Sequence, residues 1–366
     1  MRLVLLGDGD SPHLLKWARA LAPQVELWAA SSRGFAPGFD ALVPAARRLA
    51  LGTRPDFDGG NAALLLQLPR LARWLRLARA DWIHAHYLTS HGTLAWLATG
   101  LLGAPGRLVG SAWGSDVLVT PQRSRLMRWL TGRVLRACAL ATSDSQVMAN
   151  RMRELGAGEL MVFPFGLEAL PPLPGAGHKR DHLFFANRGL EAIYDPQRVL
   201  RLFAGIAAAW PDAELVLANE GALRPGLQQL AADLGLASRV RFVGRLAADA
   251  QALRYAEARW YISLPRSDSV AVSVLEAMAQ GCIPLLSDLP ANHELVRSGD
   301  NGWVAQSDQL PTAAMLQPLL DRAEAIAAAN HAWVAEHAMF APGVSRFVDR
   351  LRALDEAAGR SDGPRR

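Results

Sequence analysis

The residues best suited to chemistry lie in one stretch, from Arg266 through Asp268, Ser269, Glu276, Gly281 and Pro284 to Asp288. An apolar run, Trp260 to Leu264, leads into a polar loop, and a helix is expected from about Val270 to Gln280, ending at Gly281. Asp268 and Ser269 stand where an N-cap belongs, and the amides that open such a helix can hold a phosphate. Glu276 falls about two turns further on, where a carboxylate can accept hydrogen bonds from two vicinal hydroxyls such as those of a ribose. Either acid alone is as well explained by a cap or a solvated helix position. A second cluster is His84-Ala85-His86-Tyr87, which follows a short apolar run, with His91 nearby. Paired histidines suggest a metal, but no carboxylate or third histidine joins them at ligand spacing, so no metal is expected. The loop Gly7-Asp8-Gly9-Asp10-Ser11-Pro12-His13 allows close backbone approach at its glycines. It lacks the third glycine of the dinucleotide fingerprint, and a capped helix start explains it equally well.

These residues need a scaffold that gathers loops, and the sequence provides one. Short apolar runs alternate with longer amphipathic segments, the pattern of parallel sheets covered by helices. Strands are expected at Leu3–Leu6, Val25–Ala29, Trp82–Ala85, Leu108–Ala112 and Leu140–Ser143, with helices at Pro12–Leu21 and Leu64–Ala80. After a proline-rich stretch the alternation resumes, with strands at His182–Ala186, Glu214–Ala218, Val240–Val243, Trp260–Leu264 and Ile283–Ser287. The expected division is an N-terminal Rossmann-like domain over 1–166, a linker over 167–178 and a second Rossmann-like domain over 179–340. A C-terminal helix over 341–359 and a disordered tail over 360–366 complete it. Ligands of open α/β sheets bind beyond the carboxyl ends of the strands, where these loops lie.

The 366 residues exceed what one core usually serves, and 51% hydrophobic with 20% charged residues is an ordinary globular balance. A net charge of +5 favours anionic partners without choosing among them. Two distant cysteines, Cys138 and Cys282, indicate neither a disulfide framework nor a thiolate metal site, and fit a reducing, cytoplasmic setting. The opening apolar run is too short for a signal peptide, and no stretch is long and apolar enough for a membrane span. In Leu64–Ala80, leucines 64, 68, 71 and 75 share one helical face while arginines 70, 73, 76 and 79 spread over the other. Such a helix could pack on the sheet with a solvated basic face, or lie on an anionic membrane.

The words around Asp268 and Glu276 resemble the second domain of retaining GT-B glycosyltransferases, specifically family 4. That family has an acid, seven intervening residues and a glutamate, then Ala-Met-Ala and a glycine-proline turn; here the first acid is Asp268 rather than the usual glutamate. The resemblance continues through Ser287-Asp288, Asn292, Glu294-Leu295-Val296 and Asn301-Gly302. It implies that Glu276 holds the donor ribose, while Asp268, Ser269 and nearby amides face the sugar and pyrophosphate. Arg188, in Ala-Asn-Arg188-Gly-Leu-Glu, is similar to the family's arginine after the first strand of this domain, which grips the pyrophosphate and offsets leaving-group charge. Where the family often adds a lysine, this chain reads Ile193-Tyr194-Asp195. Gly244, in Phe242-Val-Gly244-Arg245, resembles a family loop near the nucleotide base. In the first domain, His86 is similar to the family's histidine at a strand end, and His13 and Gly9 would lie on the acceptor side. Trp113 stands where many members carry a histidine, and Asp116 in the same loop would position the acceptor hydroxyl or steady the anomeric cation; a helix cap explains Asp116 equally well.

The resemblance implies a GT-B architecture, two Rossmann-like domains facing across a cleft. It implies transfer of a hexose or N-acetylhexosamine from a nucleoside-diphosphate sugar, with retention, no cofactor and no metal, and a UDP-sugar favoured over a GDP-sugar. The acceptor would be a saccharide or a lipid-linked saccharide in surface-polysaccharide assembly, with peripheral contact at the inner membrane face and no nucleic acid. Two alternatives stay open: a non-catalytic partner in a polysaccharide assembly complex, motivated by Trp113 and Tyr194, and a nucleotide-sugar epimerase on the same fold.

Overall fold

The computed structural model describes residues 1–53, 62–306 and 309–361. The chain divides into two compact units, one of residues 1–164 with 340–366 and the other of residues 165–339.

The first unit is built on a seven-stranded parallel sheet. Its strands are β1 (Arg2–Gly7), β2 (Glu26–Ser31), β3 (Arg48–Ala50), β4 (Trp82–His86), β5 (Arg107–Ser111), β6 (Cys138–Ser143) and β7 (Leu160–Val162), in the order β3-β2-β1-β4-β5-β6-β7. Leu3 to Leu6 are wholly buried, as a strand covered on both faces requires. Crossover helices provide that cover: α1 (Pro12–Leu21), α2 (Ala62–Leu65), α3 (Leu68–Ala78), α4 (Thr93–Gly100), α5 (Ser115–Leu118), α6 (Thr120–Arg123), α7 (Arg125–Ala137) and α8 (Gln146–Glu154). Helix α1 starts where the sequence says it should, with Ser11 as N-cap and Pro12 in the first turn, and it buries Leu14, Trp17, Ala18 and Leu21.

The single helix expected over Leu64–Ala80 is instead two, α2 and α3, because a new helix opens at Leu68 with Pro69 in its first turn. Leu64, Leu71 and Leu75 are buried in the core, so the leucine face of this segment packs on the sheet.

The second unit is a six-stranded parallel sheet in the order β10-β9-β8-β11-β12-β13. Its strands are β8 (Arg180–Ala186), β9 (Glu214–Ala218), β10 (Val240–Gly244), β11 (Ala258–Ser263), β12 (Ile283–Ser287) and β13 (Trp303–Ala305). Helices α9 (Pro196–Ala207), α10 (Arg224–Asp233), α11 (Ala248–Glu257), α12 (Val272–Ala279), α13 (Ala313–Leu320) and α14 (Ala323–His337) flank it. Leu167, inside the expected linker, is buried and bridges to Met339 in this unit.

The last helix, α15 (Phe340–Ser361), groups with the first unit. Trp17 meets Phe340 and Phe347 edge-on at 5.1 and 5.5 Å, and the Trp82 indole donates to Asp355 at 3.0 Å. Arg360 and Ser361 close this helix, and residues 362–366 of the expected tail lie outside the described residues.

Each sheet reverses its strand order once, between β1 and β4 and between β8 and β11. The loops leaving those strands therefore diverge to opposite sides and open a crevice at the carboxyl ends, the place where such sheets bind ligands. His86 and the Gly7–Ser11 loop arise at the first reversal; Arg188 and Asp268 arise at the second.

Candidate functional site

In the second unit, β8 ends at Ala186 and the chain leaves it through Asn187 and Arg188. The Arg188 guanidinium meets Asp268 at 2.6 Å and Ser273 Oγ at 3.3 Å, and it lies 4.6 Å from the centre of the Tyr194 ring. Burial pulls the arginine's pKa down, but Asp268, Tyr261 and Tyr194 more than offset it, so the group stays a cation. Burial holds the Asp268 carboxyl above its usual range, with Arg188 pulling the other way. Tyr194, in the stretch where the family often adds a lysine, thus steadies the arginine through its ring face and its hydroxyl instead of adding a second positive charge.

Helix α12 opens at Val272 with Ala271 as its N-cap and no side-chain cap bond. Asp268 and Ser269 therefore precede the cap position that the sequence suggested for them. Asp268 is drawn instead to Arg188 across the loop, and its other oxygen accepts the Ser269 amide at 3.0 Å. Ser269 itself is buried. One turn into α12, Glu276 accepts from Tyr255 Oη at 3.0 Å and from Gln251 Nε2 at 3.2 Å. Tyr255 Oη accepts in turn from Asn187 Nδ2 at 2.8 Å, and Asn187 Oδ1 accepts from Tyr261 Oη at 2.7 Å. Burial above all, then Tyr261 and Glu276, keeps the Tyr255 phenol protonated well past its ordinary range, so it remains a donor to the carboxylate.

Neighbouring loops are tied into this assembly. Arg266 donates its amide to Ile193 at 2.8 Å and its guanidinium to Asp195 at 3.0 Å, joining the loops after β8 and β11. The Leu190 amide reaches the Glu220 carbonyl at 3.0 Å, and a Cβ on Gly221 would sit 2.3 Å from the Leu190 oxygen. Gly244 ends β10 at φ +72°, a conformation that favours glycine, and its carbonyl accepts from the Asn219 amide at 2.6 Å. Sequence reasoning singled out Arg188, Asp268, Ser269, Glu276 and Gly244, but it missed Asn187, Gln251, Tyr255 and Tyr261. Of these only Asn187, beside Arg188, stood within a motif that could have pointed to it.

In the first unit, His86 is 4% exposed at the end of β4. Its Nδ1 accepts from the Trp113 indole at 3.2 Å, and its Nε2 has no partner among the described residues. Burial first, then His84, His91 and His13, holds its pKa well below the ordinary value, so the ring is neutral. With Nδ1 accepting, the neutral tautomer places the proton on Nε2, which makes His86 a donor there. The Trp113 ring lies 5.0 Å from that of exposed His13. His84 meets Ser111 Oγ at 2.6 Å, and burial lowers its pKa to about 3.

Asp116 is wholly buried. Its oxygens accept the amides of Leu88 at 2.8 Å and Trp113 at 2.9 Å, which pins the loop after β5 to the loop after β4. Burial pushes its pKa up to about 6 against those amide bonds. This geometry braces Trp113 and His86 and turns no carboxylate oxygen outward, unlike the acceptor contact implied above. Gly9 is buried as well: a Cβ there would lie 2.4 Å from the Gly34 oxygen, so its small size serves the crossing of the segment after β2. Among the described residues no group of three or more His, Cys, Asp or Glu could hold a metal ion, and no helix is long and apolar enough to cross a membrane.

Comparison with known proteins follows the two units. Residues 2–145 match the model of the glycosyl transferase 4-like family, and residues 174–325 match that of glycosyl transferases group 1. A curated relative, the N-acetyl-alpha-D-glucosaminyl L-malate synthase of Bacillus anthracis, is 23% identical over 252 residues, 65% of this chain. That match spans 64% of the relative's length. Among solved structures, HepE of Anabaena in complex with UDP gives a TM-score of 0.76 at 15% identity, covering 96% of this chain and all of that one. Sucrose-phosphate synthase from Thermosynechococcus elongatus gives 0.77 at 15% identity, over 98% of this chain and 100% of its own.

Proposed function

We propose a donor, an acceptor side and a stereochemical course for this chain, which belongs to the GT-B glycosyltransferases of family 4. It moves a hexose or N-acetylhexosamine from a nucleoside-diphosphate sugar, UDP before GDP, onto a saccharide or lipid-linked acceptor, with retention and without a metal. The observation that carries this reading is the pairing of Arg188 and Glu276 around one set of strand ends. A cation fixed by Asp268 and Tyr194 suits a diphosphate, and a carboxylate fixed by Tyr255 and Gln251 suits vicinal hydroxyls. HepE has been crystallised with UDP and with UDP-glucose, which supports a uridine donor here.

In the proposed reaction Arg188 shares its guanidinium between Asp268 and the diphosphate and stabilises the charge that develops as the bond to the sugar breaks. Asp268 and Ser269 face the sugar, and Gly244 leaves room for the base. The acceptor hydroxyl attacks the face the diphosphate leaves, and the departing phosphate takes its proton, so no protein base is required. His86 orders the acceptor side through the Trp113 indole, with exposed His13 beside that ring and Asp116 as a positioning residue. Surface-polysaccharide assembly at the cytoplasmic membrane face, with peripheral membrane contact, belongs to the same proposal. The contacts of Tyr194 with Arg188 and of Trp113 with His86 favour the catalytic reading over a non-catalytic partner.

The test is an assay with UDP-glucose, UDP-N-acetylglucosamine and GDP-mannose in excess chelator, following nucleotide release and the anomeric configuration of the product by NMR. UDP release with an α-linked product from an α-donor is expected. A β-linked product would remove retention, and release of GDP alone would remove the uridine donor.

A further inference from the structure

The leucine face of the Leu64–Ala80 segment is buried, yet a different apolar surface remains on the same side of the first unit. Helices α3, α4 and α7 lie side by side: α3 packs on α4, and α4 packs on α7. Arg76 of α3 donates to the Leu102 carbonyl just beyond α4, and Trp96 of α4 meets Trp129 of α7 edge to face at 6.5 Å. Leu77 of α3 and Leu126 of α7, with Leu66 just before α3 and Leu101 just after α4, are 67% to 79% exposed, and Trp129 of α7 is half exposed. In the second unit only Leu253 among the described large apolar residues is more than half exposed.

The charge around these residues has one sign. Arg70, Arg73 and Arg76 are exposed on α3, and Arg125, Arg128 and Arg133 on α7, the last with its guanidinium 5.5 Å from the Trp129 ring centre. No aspartate or glutamate occurs on α3, α4 or α7. Between residues 62 and 137 the acids are Asp81, which accepts from the Arg2 amide, and Asp116, which is buried. Beside Trp129's helix, a groove of about 660 Å³ is lined by Pro121, Gln122, Ser124, Arg125, Arg128 and Arg151, the last of which pairs with Glu154 at 2.5 Å.

We infer that this three-helix face is the surface with which the protein docks on an anionic lipid bilayer. Leucines and a tryptophan enter the headgroup boundary, arginines pair with lipid phosphates, and Arg125 and Arg128 at the groove take one headgroup. A protein partner of ordinary interface would meet mixed charge at the rim, whereas on these three helices only positive charge surrounds isolated apolar tips. The inference deepens the membrane contact within the proposed function and rests on that part of it.

The experiment sediments the full chain with vesicles of phosphatidylcholine alone or of phosphatidylcholine mixed with phosphatidylglycerol. Binding to the mixed vesicles and little to the neutral ones is expected. The pairs R125E/R128E and L126S/W129S should each lower the partition coefficient about tenfold or more, while L253S in the second unit leaves it unchanged. Equal binding to neutral vesicles, no vesicle binding, or variants that bind like the parent would overturn the assignment. So would self-association in light scattering that L126S/W129S abolishes, since the face would then belong to a second copy. Titration of the same samples with UDP reports the donor reading separately: its failure beside intact vesicle binding would remove the donor and leave this face standing.

Discussion

At the scale of single residues, the proposed donor site is a set of charges held by neighbours that are themselves held. Glu276 keeps its carboxylate aimed by accepting from Tyr255 and Gln251, so Glu276→Gln should disturb hydrogen bonding with little loss of packing. A hydrogen bond to a charged group is worth about 1.5–3 kcal/mol, and the UDP affinity of this variant should fall about tenfold or more in calorimetry. Unchanged affinity would remove the ribose assignment. Asp268 makes a different prediction, because it pairs with Arg188 and faces the sugar in our account. Asp268→Asn should leave UDP binding intact or slightly tighter, since the guanidinium is freed, while affinity for the UDP-sugar drops relative to UDP. Equal losses for both ligands would place Asp268 on the nucleotide instead. Tyr194→Phe keeps the ring against Arg188 and loses only the hydroxyl, so it should weaken UDP binding less than Tyr194→Ala, which should lose about 0.5–2 kcal/mol.

At the scale of elements, the long buried strands and the helices between them were readable because apolar runs and helical periods leave marks over many residues. Helix α1 was readable to the residue, with its serine cap and first-turn proline in place. The strands that escaped notice, β3, β7 and β13, are three residues each and lie away from the centre of their sheets, too short for any period to register. The split between α2 and α3 was signalled by Pro69 and overridden by the continuing leucine spacing. The misplaced cap at Asp268 has another cause: an ion pair with a residue 80 positions away outcompetes a local hydrogen bond, and local sequence cannot show such a competitor. The same holds for Tyr255 and Tyr261, which reach Glu276 and Asn187 only once the sheet is assembled. The return of α15 to the first unit depends on Trp17, whose indole sits among Phe340, Phe347, His84 and His86. Trp17→Ala should cost about 3–5 kcal/mol in the first unit's denaturation, and a loss under 1 kcal/mol would show that α15 is held elsewhere.

At the scale of the whole molecule, two units each bury their own core, and the first also buries three imidazoles. His84, His86 and His91 are all shifted down by burial, His84 to about 3 and His91 to about 4. Unfolding lets each bind a proton below its ordinary value near 6.5, so their contribution is present at neutral pH and is lost as the pH falls toward 4. Asp116 acts oppositely: raised to about 6, it stays protonated in the fold where the unfolded chain has released its proton, which favours the fold at acid pH. Three groups against one leave a net loss on acidification, and the melting temperature should fall between pH 7 and pH 5. A flat profile over that window would contradict the neutral, buried histidine cluster.

Binding of a uridine donor at Arg188 and Glu276, as proposed, can be read from calorimetric titration with UDP and GDP in excess chelator. Clear UDP binding without added metal, weaker or absent GDP binding, loss in Arg188→Ala and a marked drop in Glu276→Gln are expected. Binding of neither nucleotide, or affinity indifferent to both substitutions, would contradict it.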